Sequence, residues 1–139
     1  MSRFITATDY KASIHQDILE SVTRSDKGIV KIAEDRAIEE MRFYLSARYD
    51  CDTIFSTTGA KRIQLVVMFC IDITLYRVFS AHNPQNISEI RVERYERAVE
   101  WLKGVQRGQI NIEGAPLLEK AMDSTPYLIM SNPKRNTKR

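Results

Sequence analysis

The longest apolar stretch of the chain lies in its middle, KRIQLVVMFCIDITLYRVFSAHN, residues 61–83. Its uncharged part, residues 63–71, ends after nine positions at Asp72. A helix that crosses a bilayer needs about 20 mostly apolar residues, and an aspartate near the bilayer centre costs about 2.5–3.5 kcal/mol. The pattern therefore predicts a buried helix rather than a membrane span, with a strand as the alternative because β-branched residues are frequent.

This middle helix has no polar face. On a helical wheel, Asp72 points in the same direction as Leu65, Met68, Tyr76 and Phe79. A helix that is apolar all round has to be covered all round, and two or three neighbouring helices in a chain of this size cover only part of it. We therefore expect a partner subunit to cover the remainder.

Apolar residues at helical spacing predict three further helices. The first covers residues 9–22 and the second covers residues 26–48. The last follows the middle helix, with Asn86 as its N-cap and Gly108 as its C-terminal stop. Between the second and the middle helix, the residues YDCDTIFSTTGA predict a turn, because the apolar pattern lapses among Asp, Ser, Thr and Gly.

The C-terminal part of the chain loses this periodicity. Residues 113–139, with one glycine and three prolines, are predicted to form an extended arm, whereas residues 1–112 form the helical domain. The arm carries an isolated apolar patch, which is expected to occupy a groove on the same or a neighbouring subunit. This patch consists of Tyr127, Leu128, Ile129 and Met130. The predicted fold is all-α, a four-helix connector-type domain with an extended C-terminal arm.

Composition indicates one globular domain. The 139 residues are 43% hydrophobic and 28% charged, with a mean hydropathy of -0.34. The N-terminus MSRFITATDY lacks the apolar region of a secretion signal, so the protein is expected to stay in the cytoplasm. Cys51 and Cys70 match no metal or redox spacing and are expected to be free thiols.

The net charge of +3 comes from the C-terminal tail. The last seven residues, PKRNTKR, carry +4, which leaves -1 for the preceding 132 residues. A short basic tail adds nonspecific phosphate affinity that weakens with salt, although such tails are more often solvated ends. The alternative function is therefore a small helical nucleic-acid-binding or regulatory protein, with weak nonspecific DNA contact through residues 134–139.

Few residues are able to carry chemistry. His15 and His82 have no carboxylate or cysteine at ligand spacing, and no glycine-rich phosphate loop occurs, so no metal or cofactor is expected. Asp72 is the one notable ionisable group, because burial would raise its pKa. Without a second catalytic group we expect no enzymatic activity, and a buried ion pair or hydrogen bond is the preferred role for Asp72. Its candidate partners are Tyr76, Arg62, Arg77 and Arg48.

Four segments occur in a recognisable order within residues 4–112: FITATDY, AIEEMRFYLSARYD, IDITLYRVF and RYERAVEWLKGVQRGQI. The most telling residues are Leu45, Arg48, Tyr49, Asp72, Tyr76, Tyr95, Ala98, Trp101, Leu102 and Gly108. In this order the chain resembles the Mu-like phage and prophage family of small neck proteins. The resemblance implies a non-enzymatic head-tail connector, whose small α-helical subunits form a ring between the portal of the filled capsid and the tail.

The resemblance also implies partners and a location. The partners are further copies of the chain, the portal and tail-completion proteins, without a membrane. Assembly takes place in the bacterial host cytoplasm, and the final position is the virion neck. A ring subunit buries surface against two neighbours through a heterologous interface. The candidate interaction residues are Arg48 and Tyr49, which pin the following loop or face the portal; Trp101, in the core or at an interface; and Asp72, Tyr76, Arg77 and the arm patch.

Overall fold

The computed structural model describes residues 4–24 and 26–118, which fold into helices joined by short connections. The α-helices of this part are α1, Gln16–Thr23; α2, Lys27–Leu45; α3, Cys51–Ser56; α4, Gln64–His82; and α5, Glu89–Gln106. Two short 3-10 helices cover Ala7–Ala12 and Gly59–Lys61. Over these described residues there is no β-strand, only an isolated bridge between Tyr49 and Leu117. The predicted all-α class is confirmed.

Helix α4 lies at the centre of the fold and confirms the helix predicted for the middle of the chain. It packs against α2, α5 and α1, and ten of its 19 residues are buried. Helix α5 runs antiparallel to α4, because Phe69 contacts Trp101 while Tyr76, further along α4, stacks on Tyr95. The other helices therefore cover much of the apolar surface of α4.

By length and apolar composition, α4 would also be able to cross a membrane. The core helix of a water-soluble protein passes the same test, and 56% of the apolar window is buried inside this fold. Because the fold buries this share of the window, a core position for α4 is favoured over a membrane span.

The helix predicted for residues 9–22 is interrupted. The chain first forms the 3-10 helix Ala7–Ala12 and enters α1 only at Gln16. The break turns the Ser13 carbonyl towards α5, where it accepts a hydrogen bond of 3.0 Å from Arg91 Nη2. A continuous helix would have used this carbonyl internally. The prediction was wrong here because the competing donor lies 78 residues away in the sequence.

The segment predicted as a turn after α2 contains the short helix α3. Asp50 caps it: Oδ1 accepts a hydrogen bond from the Thr53 amide at 3.2 Å, and Oδ2 accepts one from the Thr53 hydroxyl at 2.6 Å. The helix buries Cys51 and Ile54. The turn prediction was wrong because Asp and Thr favour helix caps as well as turns.

Helix α2 begins where the second helix was predicted but ends at Leu45 rather than at residue 48, and α5 ends at its predicted stop but begins at a different cap. Asp26 caps α2 by accepting a backbone amide hydrogen bond of 2.9 Å. Gly108 has a φ of +82°, which suits the reversal of the chain after α5. The N-cap of α5 is Ser88 rather than Asn86. The Asn86 amide instead donates to the Asn83 carbonyl at 3.1 Å, in the turn that joins α4 to α5.

Gly104 lies near the end of α5, where the chain folds back on itself. An added Cβ would stand 2.5 Å from Cδ1 and 3.0 Å from Cγ1 of Ile110. At an exposed position in a helix, alanine is usually about 1 kcal/mol more stable than glycine, but overpacking costs about 1–3 kcal/mol. We expect Gly104→Ala to lower the free energy of unfolding by about 1–2 kcal/mol in urea denaturation.

A matched double substitution tests the cause of that loss. Ile110→Ala removes the two side-chain atoms that an alanine at position 104 would meet. In the Ile110→Ala background, Gly104→Ala is expected to be neutral or stabilising, because only the higher helix propensity of alanine remains. An equal loss in both backgrounds would contradict the contact as the cause.

Candidate assembly surface

Arg48, just past the end of α2, holds the segment that follows α5. Its Nη1 donates to the carbonyls of Val105 at 2.8 Å and Ile110 at 3.0 Å, and its Nη2 donates to Asn111 Oδ1 at 2.6 Å. The guanidinium carbon also lies 5.2 Å from the ring centroid of Tyr49. Because a guanidinium presents several donors in one plane, Arg48 fixes the turn after α5 to the end of α2.

Tyr49 holds the same segment further along. It is buried, and its hydroxyl accepts a hydrogen bond of 2.9 Å from the Ile112 amide. Its backbone bridges to Leu117, and the Leu118 amide donates to the carbonyl of Arg48 at 3.2 Å. Both side chains therefore hold the residues directly before the predicted arm, rather than the loop directly after α2, and backbone contacts hold the start of the arm at Leu117 and Leu118.

The rest of the arm lies outside the described residues. This applies to the patch of Tyr127, Leu128, Ile129 and Met130 and to the basic tail. The docking of the patch and the division of the chain at residue 112 stay predictions.

Tyr76 and Arg77 take part in a cluster that joins three helices. Arg77 Nη2 of α4 donates to Glu40 Oε1 of α2 at 2.6 Å and to the Tyr95 hydroxyl of α5 at 3.4 Å. The Tyr95 hydroxyl donates to Glu40 Oε2 at 2.8 Å, and its ring stacks on Tyr76 with the centroids 4.1 Å apart. Burial and the bond to Glu40 raise the pKa of Tyr95 to about 12, so the hydroxyl keeps its proton. The cluster locks α2, α4 and α5 together.

Arg62, predicted as a possible partner of Asp72, instead binds the N-terminal segment. Its Nη1 donates to Asp9 Oδ2 at 2.6 Å and to the Phe4 carbonyl at 2.7 Å, and its Nη2 donates to Asp9 Oδ1 at 3.0 Å. Its Nε donates to the Gly59 carbonyl at 2.9 Å. The bond to Arg62 lowers the pKa of the Asp9 carboxyl. The pair anchors the start of the described chain beside the first turn of α4.

Asp72 is buried, as predicted, but it has none of the predicted partners. The residue is 8% exposed, and no hydrogen bond or ion pair joins it to the described part of the chain. Burial raises the pKa of its carboxyl, and the positive charges of Arg94, Arg91 and Arg97 on α5 oppose that rise. The prediction was wrong for all four candidate partners, which bind other groups: Tyr76, Arg62, Arg77 and Arg48.

An exposed apolar surface adjoins Asp72. We call it the Asp72 surface, and its residues are Leu65, Met68, Asp72, Ile90, Arg91, Arg94 and Arg97. Met68 lies one turn and Leu65 two turns before Asp72 on the same side of α4, and they are 44% and 43% exposed. The guanidinium carbon of Arg91 lies 5.4 Å from the ring centroid of Phe79. The buried Nη1 of Arg91 has no hydrogen-bond partner among the described residues. The surface thus contains a buried carboxylate and one buried guanidinium nitrogen with unused hydrogen-bonding capacity among the described residues.

The buried carboxyl of Asp72 leads to a prediction for the stability of the isolated chain. We expect Asp72→Asn to raise its free energy of unfolding at pH 7 by on the order of 1 kcal/mol, since a buried charge is removed without a change of shape. A carboxyl whose pKa is raised by folding stabilises the fold below its ordinary value of about 3.9, and that contribution is lost as the pH rises through the raised value. The gain should therefore disappear below about pH 4.

Urea denaturation at pH 7 and at pH 3 to 4 checks this prediction. Glu93→Gln on the exposed face of α5 is the matched control, expected to change stability by less than about 0.5 kcal/mol. A loss of stability in Asp72→Asn at pH 7 would show that the carboxylate has a favourable partner within the chain.

The outer side of α2 carries a second exposed apolar surface. Ile29, Ile32 and Phe43 are all exposed, and the exposed side chains of Arg36 and Glu39 lie between them. We call these five residues the α2 stripe. The opposite side of α2, with Ala33, Ala37 and Met41, is buried. The chain therefore exposes apolar side chains on α2 as well as around Asp72.

Trp101 is half-buried between the core and the surface. Its ring lies against Phe69 of α4, with the centroids 4.8 Å apart. One side of the indole therefore serves α4–α5 packing, as the core alternative predicts. Trp101 also lies one helical turn after Arg97 of the Asp72 surface on α5.

Sequence reasoning missed the contact between Tyr10 and Glu34. The Tyr10 hydroxyl donates to the buried Glu34 carboxylate, and both residues line a cavity of about 250 Å³ beside α1 and α2. Glu34 lies three and seven residues before Ala37 and Met41, so helical spacing was the signal for its burial. Among the described residues, no group of His, Cys, Asp and Glu is arranged to hold a metal ion.

Comparison with known proteins places these features in a family. The sequence pattern of the family described as Bacteriophage Mu, Gp36 matches residues 4–125, which includes every helix described above. No curated protein and no solved structure matches the chain. The match confirms the resemblance to Mu-like phage proteins. The chain belongs to the bacteriophage Mu Gp36 family, a family of phage proteins.

Proposed function

We propose that the chain is a structural subunit of the phage neck, a head-tail connector that assembles into a ring between the portal of the filled head and the tail. The observation that carries the proposal is the pair of exposed apolar surfaces, the Asp72 surface and the α2 stripe. Exposed apolar patches mark interaction sites, and a closed ring needs two different surfaces on each subunit. Membership of a phage family supplies the context.

A structural role also fits the chemistry around Asp72. The charged groups that face this carboxyl from α5 are Arg91, Arg94 and Arg97. Guanidinium groups stay protonated, so they supply no general acid or base near neutral pH. The proposal therefore includes no catalytic activity. Its partners are further copies of the chain, the portal and tail-completion proteins, met in the host cytoplasm during assembly and later in the virion neck.

The nucleic-acid alternative rests on the basic tail, which lies outside the described residues. In the described part, the outer face of α5 is acidic and would repel phosphate. Its exposed carboxylates belong to Glu89, Glu93, Glu96 and Glu100. Salt-sensitive DNA binding that is lost on deletion of residues 134–139 would favour this alternative.

Phage heads that lack this protein provide the test. Addition of the purified full-length chain is expected to build a ring at the portal vertex, visible by electron microscopy, and to restore tail attachment. Met68→Glu, which introduces a charge into the Asp72 surface, should fail to do so, whereas Lys61→Glu at an exposed position outside both surfaces should succeed. Heads that acquire tails equally well without the chain would contradict the proposal.

A further inference from the structure

We infer that neighbouring subunits of the ring meet through the α2 stripe of one copy and the Asp72 surface of the next. This inference rests on the proposed ring and identifies the two surfaces that form its interface. The occupant of the Asp72 surface is thus a second copy of this chain.

The two surfaces carry the same spacing of residues. Two exposed isoleucines precede a charge on α2, and an exposed leucine and methionine precede a charge on α4, in each case with steps of three and four residues. The two sets are Ile29, Ile32, Arg36 and Leu65, Met68, Asp72. Residues at these steps share one side of a helix, so parallel alignment of the two helices pairs apolar with apolar side chains. It also brings Arg36 of one copy against Asp72 of the next.

Two charged contacts are expected between the surfaces, Arg36 with Asp72 and Glu39 with Arg94 and Arg97. Asp72 is buried without a donor, while Arg36 is exposed and forms no ion pair in the described part of the chain. A guanidinium binds a carboxylate through two parallel hydrogen bonds, which would satisfy the group that the single subunit leaves unpaired. One turn further along the α2 stripe, the exposed carboxylate of Glu39 would then face Arg94 and Arg97 beside Asp72.

The two surfaces lie on opposite sides of the subunit. Arg77 of α4 reaches Glu40 of α2 at 2.6 Å, so this side of α4 faces α2. Met68 precedes Arg77 by nine residues, about two and a half helical turns, and therefore projects from the opposite side of α4. The α2 stripe points away from the core. One copy can use both surfaces at once, as a head-to-tail ring requires.

Paired cysteines test this interface. In the full-length chain, Ile32→Cys combined with Met68→Cys would place one thiol on each surface. Mild oxidation of rings assembled on heads should link this variant into a ladder of dimers, trimers and larger multimers, about tenfold more abundant than in either single variant. The native thiols of Cys51 and Cys70 are buried and free, and burial raises the pKa of Cys70 to about 12, so both remain unreactive.

The controls separate failure of the interface from failure of the ring. Ile18→Cys with Met68→Cys, where Ile18 is exposed on α1 outside the α2 stripe, should give no ladder. Rings visible by microscopy without a ladder from the Ile32 and Met68 pair would overturn the interface and leave the proposed function intact. Heads that carry no ring would overturn both. Dimers from Met68→Cys alone that are as abundant as those of the paired variant would overturn the head-to-tail arrangement, because like surfaces would then meet.

Reversal of charge gives a second measurement. Arg36→Glu should weaken association of the subunits about tenfold or more, because it removes the donors to Asp72 and places a carboxylate against it, while Glu39 already faces Arg94 and Arg97. Arg36→Lys, which keeps the charge, should retain most of the association. Equal association of Arg36→Glu and the unaltered chain on heads would overturn the pairing of Arg36 with Asp72.

Discussion

Arg62→Met is expected to lower the free energy of unfolding by about 2–4 kcal/mol. The guanidinium of Arg62 donates hydrogen bonds to Asp9 and to the carbonyls of Phe4 and Gly59. The side chains of Arg62 and Asp9 are only 9% and 14% exposed, so methionine would leave a mostly buried carboxylate without its cation. Urea denaturation monitored by circular dichroism measures the loss.

The pH dependence of this loss identifies its cause. Folding lowers the pKa of Asp9, so the ion pair stabilises the fold above the ordinary value of about 3.9. That contribution is lost as the pH falls through the lowered value. The difference between Arg62→Met and the unaltered chain should therefore shrink below about pH 4. Arg36→Met at an exposed position is the control, and a loss equal to that of Arg62→Met would contradict the role of the ion pair.

Arg48→Met is expected to cost about 2–3 kcal/mol and to release the segment after α5. The substitution removes the donors to the carbonyls of Val105 and Ile110 and to the side chain of Asn111. Because carbonyls that lose a donor in a partly buried position are not fully hydrated, the segment should open locally. Hydrogen exchange of the Ile112 and Leu118 amides measures that opening.

Tyr49→Phe separates the two anchors of this segment. It removes only the hydroxyl that accepts the Ile112 amide, and about 1 kcal/mol is the expected loss. Exchange should then accelerate at Ile112 and remain slow at Leu118, whose amide is bound to the Arg48 carbonyl. Equal acceleration at both amides in Tyr49→Phe and Arg48→Met would contradict independent anchoring.

The long helices were predictable because their signals are local. The apolar stripe of the second helix and the uncharged run of residues 63–71 are short-range features, and neither depends on what the helix packs against. The break before α1 was not predictable in this way. It involves a hydrogen bond between Ser13 and Arg91, which are neighbours only once α5 has packed.

Partners of charged side chains were harder to predict than burial. The position of Asp72 in the middle of an apolar run predicted its burial correctly. Its partners were predicted from closeness in sequence and from the length of arginine side chains. However, Arg62 binds Asp9, 53 residues away, and Arg77 binds Glu40, 37 residues away. Long side chains pair with whichever acceptor the packed helices bring near, and single-sequence periodicity contains no such information.

The contact between Trp101 and Phe69 has a practical consequence. Trp101 is the single tryptophan of the chain, and the residue beside Phe69 in sequence is Met68 of the Asp72 surface. Indole emission shifts towards shorter wavelengths when water around the ring is displaced. Intrinsic fluorescence would therefore follow the proposed arrival of a neighbouring copy in real time, without any label attached to the protein.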